Sequence, residues 1–140
     1  MNGQRSPAAQ AAFQRGETAE QAGDLATAER AFELAQRLAP SDRDITMAIG
    51  RVRLARGEPR ASEAFELVAH AEDWRDAWLC LASVRRRFGR ADLALRELHQ
   101  ALSRHAPPAT EAFASFCDDL LQQTGHPGCC GLAADGRLFI

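Results

Sequence analysis

The stretch Gly23-Asp24-Leu25-Ala26-Thr27-Ala28-Glu29-Arg30-Ala31-Phe32-Glu33-Leu34-Ala35 returns in outline as Gly89-Arg90-Ala91-Asp92-Leu93-Ala94-Leu95-Arg96-Glu97-Leu98-His99-Gln100-Ala101. In both, an Ala stands five positions after the Gly, a large apolar residue four positions later, and the next Ala three positions after that. A middle copy, Gly57, Ala61, Phe65 and Val68, shortens the first spacing to four and keeps the other two. Upstream, Gly16 precedes Gly23 by seven residues, as Gly50 precedes Gly57 and Ala82 precedes Gly89. Trp78 stands four residues before Ala82. Offsets of three and four gather side chains on one helix face. A small residue there lets two helix backbones approach, and the large one fills the space beside it. A Gly between helices supplies the positive φ that ends one and starts a short connection. Pro40 and Pro107 stop the second helix of their pairs.

The spacing predicts an all-α chain of antiparallel helix pairs over 6–21, 25–38, 42–56, 59–71, 74–88 and 91–104. Ser41 and Asp42 are candidate caps for the third helix, and Pro59 suits the first turn of the fourth. A seventh helix, about 109–124, carries Phe113, Phe116, Leu120 and Leu121 on one face and reads as a cap on an open end. Beyond Gly125 the pattern changes. Ala133-Ala134-Asp135-Gly136 lies between short apolar runs, a hairpin signal. An isolated hairpin is marginal in water. Either this tail packs on the seventh helix or it opens a β-rich domain, and hairpin stability favours the second.

The repeat resembles the tetratricopeptide (TPR) family, whose motif spans about 34 residues. Repeat one, 9–42, matches at Gly16, Ala28, Phe32, Ala35 and Pro40. Repeat two, 43–74, matches at Ile49, Gly50, Ala61 and Phe65, is two residues short, and has Asp73 where the family has Pro. Repeat three, 75–108, matches at Trp78, Leu81, Ala94, Leu98 and Ala101. The resemblance implies an α-solenoid with a right-handed superhelical twist over residues 1–125, followed by a short β-hairpin or irregular tail over 126–140. It also implies that the first helix of each repeat faces a concave groove. Phe13 and Glu17 then look inward from repeat one, Met47, Arg51 and Leu54 from repeat two, and Leu79, Ser83, Arg86 and Arg87 from repeat three. Family members that hold a chaperone's C-terminal carboxylate share an Asn and Lys clamp. The matching positions here are Gln14, Ala48 and Cys80, and the chain has no Lys. The Asn ladder of sugar-transferring relatives is also missing, Asn2 being the only Asn.

Composition limits function further. All 17 basic residues are Arg, Ala occurs 28 times and Tyr never. Net charge is −2, which disfavours generic nucleic-acid binding. No run of about 18 apolar residues offers a membrane span. The first residues lack a secretory pattern, so a cytoplasmic location and reduced thiols are expected. Neither a phosphate-binding Gly loop nor a nucleophile elbow occurs, so no enzyme activity and no cofactor are expected of this chain. His70, His99, His105 and His126 are scattered, and adjacent Asp118 and Asp119 diverge on a helix. Cys117, His126, Cys129 and Cys130 have poor zinc spacing, so no metal site is expected. Arg85-Arg86-Arg87 fan over roughly 200° and cannot all face one ligand.

The expected function is a protein-interaction scaffold, with the N-terminal module of a larger bacterial protein as its expected setting. Its groove would bind a peptide or helix combining acidic and apolar residues, through Arg51, Arg86 and Arg87. The alternatives are a docking or oligomerising arm of a multidomain enzyme such as a glycosyltransferase, and a small secretion chaperone. Ala28 and Ala94 are expected at close helix approaches, and Glu29 on the exposed side.

Overall fold

The computed structural model describes residues 5–124 and the backbone of 131–132 and 138–139. Seven helices occur among the described residues: α1 (Pro7–Gln21), α2 (Leu25–Leu38), α3 (Arg43–Ala55), α4 (Ala61–Glu72), α5 (Arg75–Arg87), α6 (Ala91–Leu102) and α7 (Glu111–Gln123). They group into two compact units, residues 1–71 and 72–140.

The turns obey one rule. Gly23, Gly57 and Gly89 have φ of 81°, 75° and 80°. Each is followed by an N–H that reaches back across the helix end: Asp24 to the Ala19 carbonyl, Glu58 to Arg53, and Arg90 to Arg85, at 2.9, 2.9 and 2.7 Å. This closure satisfies carbonyls that the helix end would otherwise orphan, and the left-handed residue inside it suits Gly. Helix starts are capped by side chains. Ser6 accepts from the Ala9 N–H, Asp24 from Thr27, Asp42 from Asp44 and Ile45, and Thr110 from Phe113.

In the first unit, α1 pairs with α2 and α3 with α4. A Cβ on Gly16 would lie 2.5 Å from the Phe32 ring, and one on Gly50 2.7 Å from Phe65. Both rings are buried. The small residue of the first helix thus makes the cavity that the aromatic ring of the second fills. Ala12, Ala28, Ala35, Ile45, Ala48, Ile49 and Val52 complete this core. In the second unit, α5, α6 and α7 bury Ala82, Leu98, Phe113, Cys117, Leu120 and Leu121. Here Ala82 and Leu98 replace the Gly and Phe of the other pairs, a larger small residue with a smaller large one. Every sequence-assigned repeat position (Gly16, Ala28, Phe32, Gly50, Ala61, Phe65, Trp78, Ala94, Leu98) is buried except Pro40, which lies exposed beyond the end of α2.

Three expectations need correction. α4 begins at Ala61 rather than at Pro59. Glu58, Pro59 and Arg60 instead form a tighter turn, their carbonyls accepting from Ala61, Ser62 and Glu63 three residues on. α6 ends at Leu102 rather than at 104, because Ser103 Oγ and Arg104 Nη1 both donate to the Gln100 carbonyl and finish the helix.

The third correction is Glu29, which is buried, with 3 % exposure. It accepts from Arg56 Nη1 at 2.6 Å, Arg60 Nη2 at 2.7 Å and Arg53 Nε at 3.2 Å. Arg53 also reaches Glu33 at 3.4 Å. Burial alone would push the Glu29 carboxyl up. The guanidiniums of Arg56, Arg53 and Arg60 outweigh it and hold the carboxyl below the usual range. One carboxylate of α2 therefore ties the end of α3 and the turn before α4 to the first repeat.

Asp73, at the turn between α4 and α5, has φ of 47°. Pro cannot adopt that backbone, whereas Asp tolerates it. Its carboxylate accepts from Arg104 Nε and Nη2 at 2.9 and 3.0 Å and from Trp78 Nε1 at 2.8 Å, with His105 Nε2 at 3.3 Å. These partners, Arg104 foremost, hold the carboxyl far below its ordinary range. After α7, β1 (Gly131–Leu132) pairs antiparallel with β2 (Leu138–Phe139). β1 runs beside α7 and β2 beside α6. The Asp135-Gly136 turn, His126, Cys129 and Cys130 lie outside the described residues.

Candidate partner-binding surface

On the first unit, α1 and α3 present the residues assigned to the groove. Phe13, Met47 and Leu54 are half-buried, and Glu17 and Arg51 exposed. Phe13 packs its ring on Phe32, with centroids 5.5 Å apart, and carries the Arg5 guanidinium 4.1 Å above its own centroid. Arg5 is held by Asp42 and lies 3.7 Å from Asp44. Arg51 reaches from α3 to α1 and donates to both Glu20 oxygens, at 2.6 and 2.7 Å. Its fork is thus already engaged by a carboxylate of its own unit.

On the second unit, the three consecutive Arg side chains part as their angular spread requires. Arg85 turns to α6 and meets Glu97 at 3.2 Å, with both side chains largely buried. Arg86 turns to α7, donating from Nη1 to Asp119 Oδ2 at 3.2 Å, with its guanidinium carbon 4.7 Å above the Phe116 ring. Arg87 is exposed, 5.7 Å from the Phe88 ring. Leu79, Ser83 and Cys80 are half-buried beside them on α5. Leu79 and Phe116 both rest on the core of this unit. Arg51 and the Arg86–Arg87 pair belong to different units.

Sequence reasoning placed Glu20 among the inward positions of repeat one but left Phe116 and Asp119 outside the groove. Phe116 was legible as part of an apolar face, and Asp119 as one of two diverging carboxylates. Their meeting with Arg86 depends on how α7 packs on α5, which no local spacing encodes. The clamp positions are unsuited to binding a terminal carboxylate: Gln14 is exposed, Ala48 buried and Cys80 half-buried, and none carries a charge. Cys117 is fully buried; burial, with Asp118 adding, pushes its thiol up to about 12, so it stays protonated. A cavity of about 520 Å³ is lined by Leu95, Arg96, His99 and Gln123 among others, and not by Leu79, Ser83, Arg86, Arg87, Phe116 or Asp119.

Helix pairs closed by left-handed Gly turns, with small residues set against large ones, define a helical-repeat protein. Solved structures place it more narrowly. The TPR domain of Sgt2 from Aspergillus fumigatus superposes with a TM-score of 0.71 at 16 % identity, covering 86 % of this chain and 81 % of that one. The first TPR of Spaghetti (RPAP3), bound to the HSP90 peptide SRMEEVD, gives 0.73 at 11 %, covering 86 % and 98 %. PcrH from Pseudomonas aeruginosa gives 0.66 at 19 %, covering 88 % and 96 %. The chain has the all-α fold of tetratricopeptide-repeat domains. No protein-family model and no curated protein matches its sequence.

Proposed function

We propose that residues 1–125 act as a protein-interaction scaffold rather than an enzyme, and that the first-helix faces bind an extended or helical peptide segment. The observation that carries this reading is the α5 face, where exposed and half-exposed Arg87 and Arg86 adjoin half-buried Leu79 and Ser83. Guanidiniums beside apolar side chains suit a segment with acidic and apolar residues. The first TPR of Spaghetti holds such a segment, SRMEEVD. This chain has no Lys and no Asn beyond Asn2, so its partner's carboxylates are side chains met by Arg rather than a clamped chain end. Arg51 enters this reading differently from Arg86 and Arg87, because Glu20 already occupies its fork. The first unit, taken by itself, offers apolar contact through half-buried Phe13, Met47 and Leu54, beside the negative charge of exposed Glu17.

The test is a random-peptide display selection on the purified chain. Enrichment of acidic, apolar peptides, lost in the Arg86→Glu, Arg87→Glu double variant, supports the reading. Enrichment of basic peptides, or binding that the double variant leaves unchanged, contradicts it.

A further inference from the structure

We propose that α7 is part of the recognition surface: Phe116 and Asp119 hold the Arg86 guanidinium as a half-open fork that takes a side-chain carboxylate of an acidic, apolar peptide segment. This rests on the reading of the α5 face as peptide-binding and extends it to a helix whose evident role is to close the core.

The geometry begins with Phe116. Its ring lies 4.7 Å beneath the guanidinium carbon, so the planar group rests on an aromatic face. The ring is itself fixed, since Phe116 packs against the core of the second unit. Asp119 then takes one edge of the fork, through Nη1 alone, at 3.2 Å. The Nε and Nη2 hydrogens have no partner among the described residues. These two groups present the parallel pair of N–H bonds that a carboxylate accepts in bidentate fashion. The Arg86 and Asp119 side chains are 36 % and 57 % exposed, so a partner can reach them. Leu79, half-buried on the same core, offers an apolar contact for a neighbouring residue of the peptide.

Asp119 has two opposed effects. It orients the fork, and it places a like charge beside an arriving carboxylate. An exposed ion pair is weak, so the incoming group need not displace it to bind the open edge. Replacing Asp119 by Asn keeps an oxygen that accepts from Nη1 and removes the repulsion. Phe116→Leu keeps apolar volume and removes the ring beneath the cation. Arg86→Lys keeps the charge and removes the fork.

The experiment uses the full chain and the acidic peptide most enriched by display selection on wild type, with its Gln-substituted neutral analogue as control. Affinities are measured by calorimetry, with the melting temperature of each variant. Asp119→Asn is expected to bind the acidic peptide up to about fivefold more tightly. Phe116→Leu is expected to bind it about two- to fivefold more weakly, and Arg86→Lys about tenfold more weakly. The neutral analogue should bind all four proteins alike. Selection that enriches peptides whose affinity neither Asp119→Asn nor Phe116→Leu alters overturns this proposal and leaves the α5 reading standing. Selection that enriches no peptide overturns both. Should Phe116→Leu lower the melting temperature, the exposed Asp119 variant decides alone: tighter binding supports the proposal and unchanged or weaker binding overturns it.

Discussion

At the scale of single residues, volume is exchanged between facing positions. Gly16 with Phe32 and Gly50 with Phe65 fill the same kind of site that Ala82 with Leu98 fills in the second unit. Gly16→Ala alone would drive a Cβ into the Phe32 ring and should cost about 1–3 kcal/mol by denaturant unfolding. Adding Phe32→Leu, which recreates the Ala and Leu pairing, should recover part of that loss. Simple additivity of the two changes would show that the positions do not share a site. Ala28→Leu should cost a similar amount, about 1–3 kcal/mol, since Ala28 has no exposed surface. Glu29→Leu belongs with it rather than with neutral surface changes. It leaves Arg53, Arg56 and Arg60 without their shared acceptor, and about 2 kcal/mol is expected, softened because these guanidiniums remain partly hydrated. Sequence spacing located Ala28 and Phe32 because their partners repeat at fixed offsets. It misplaced Glu29 because the three Arg that bury it come from beyond its own helix, and a Glu on a helix looks solvated until they are in place.

The pH dependence follows from the same residue. Its folded-state pKa lies below the unfolded value, so the network's contribution is complete above the ordinary Glu pKa of about 4.3 and is lost as pH falls through the lowered value. Urea midpoints at pH 7 and pH 3 should therefore drop more for wild type than for Glu29→Gln. An equal drop would show that Glu29 titrates alike in both states.

At the scale of elements, turns decide where helices begin and end. The three Gly turns were legible because each uses one residue type for one backbone state. The α4–α5 turn was legible only as a departure, Asp73 in place of Pro. Its reason lies in a φ of 47° and in partners from α5 and the end of α6. Asp73→Pro should lower the melting temperature well below that of Asp73→Asn, which keeps both the backbone state and an acceptor for Trp78. A Pro variant as stable as the Asn variant would mean that the turn does not require the left-handed backbone. Helix edges moved where the rule was incomplete: Pro59 starts a tighter turn before α4, and Arg104 caps α6 early.

At the scale of the molecule, fold and partner were unequally legible. The helix pairs emerge from one repeated spacing, and the likeness to TPR domains follows from them. The surface does not repeat. Arg51, Arg86 and Arg87 stood out in the sequence as cations alone, whereas the structure gives Arg51 to Glu20 and Arg86 to Asp119. Such pairings depend on which helices meet, and they decide which cation remains open to a partner. On the proposed reading, first-helix faces, not second-helix faces, bind an acidic, apolar segment. Amide chemical-shift mapping of the ¹⁵N-labelled chain, titrated with the display-selected acidic peptide, separates the two faces. Shifts that saturate together on α5 and α7, around Leu79, Ser83, Arg86, Arg87 and Phe116, are expected. Shifts confined to α2, α4 and α6 would contradict that reading.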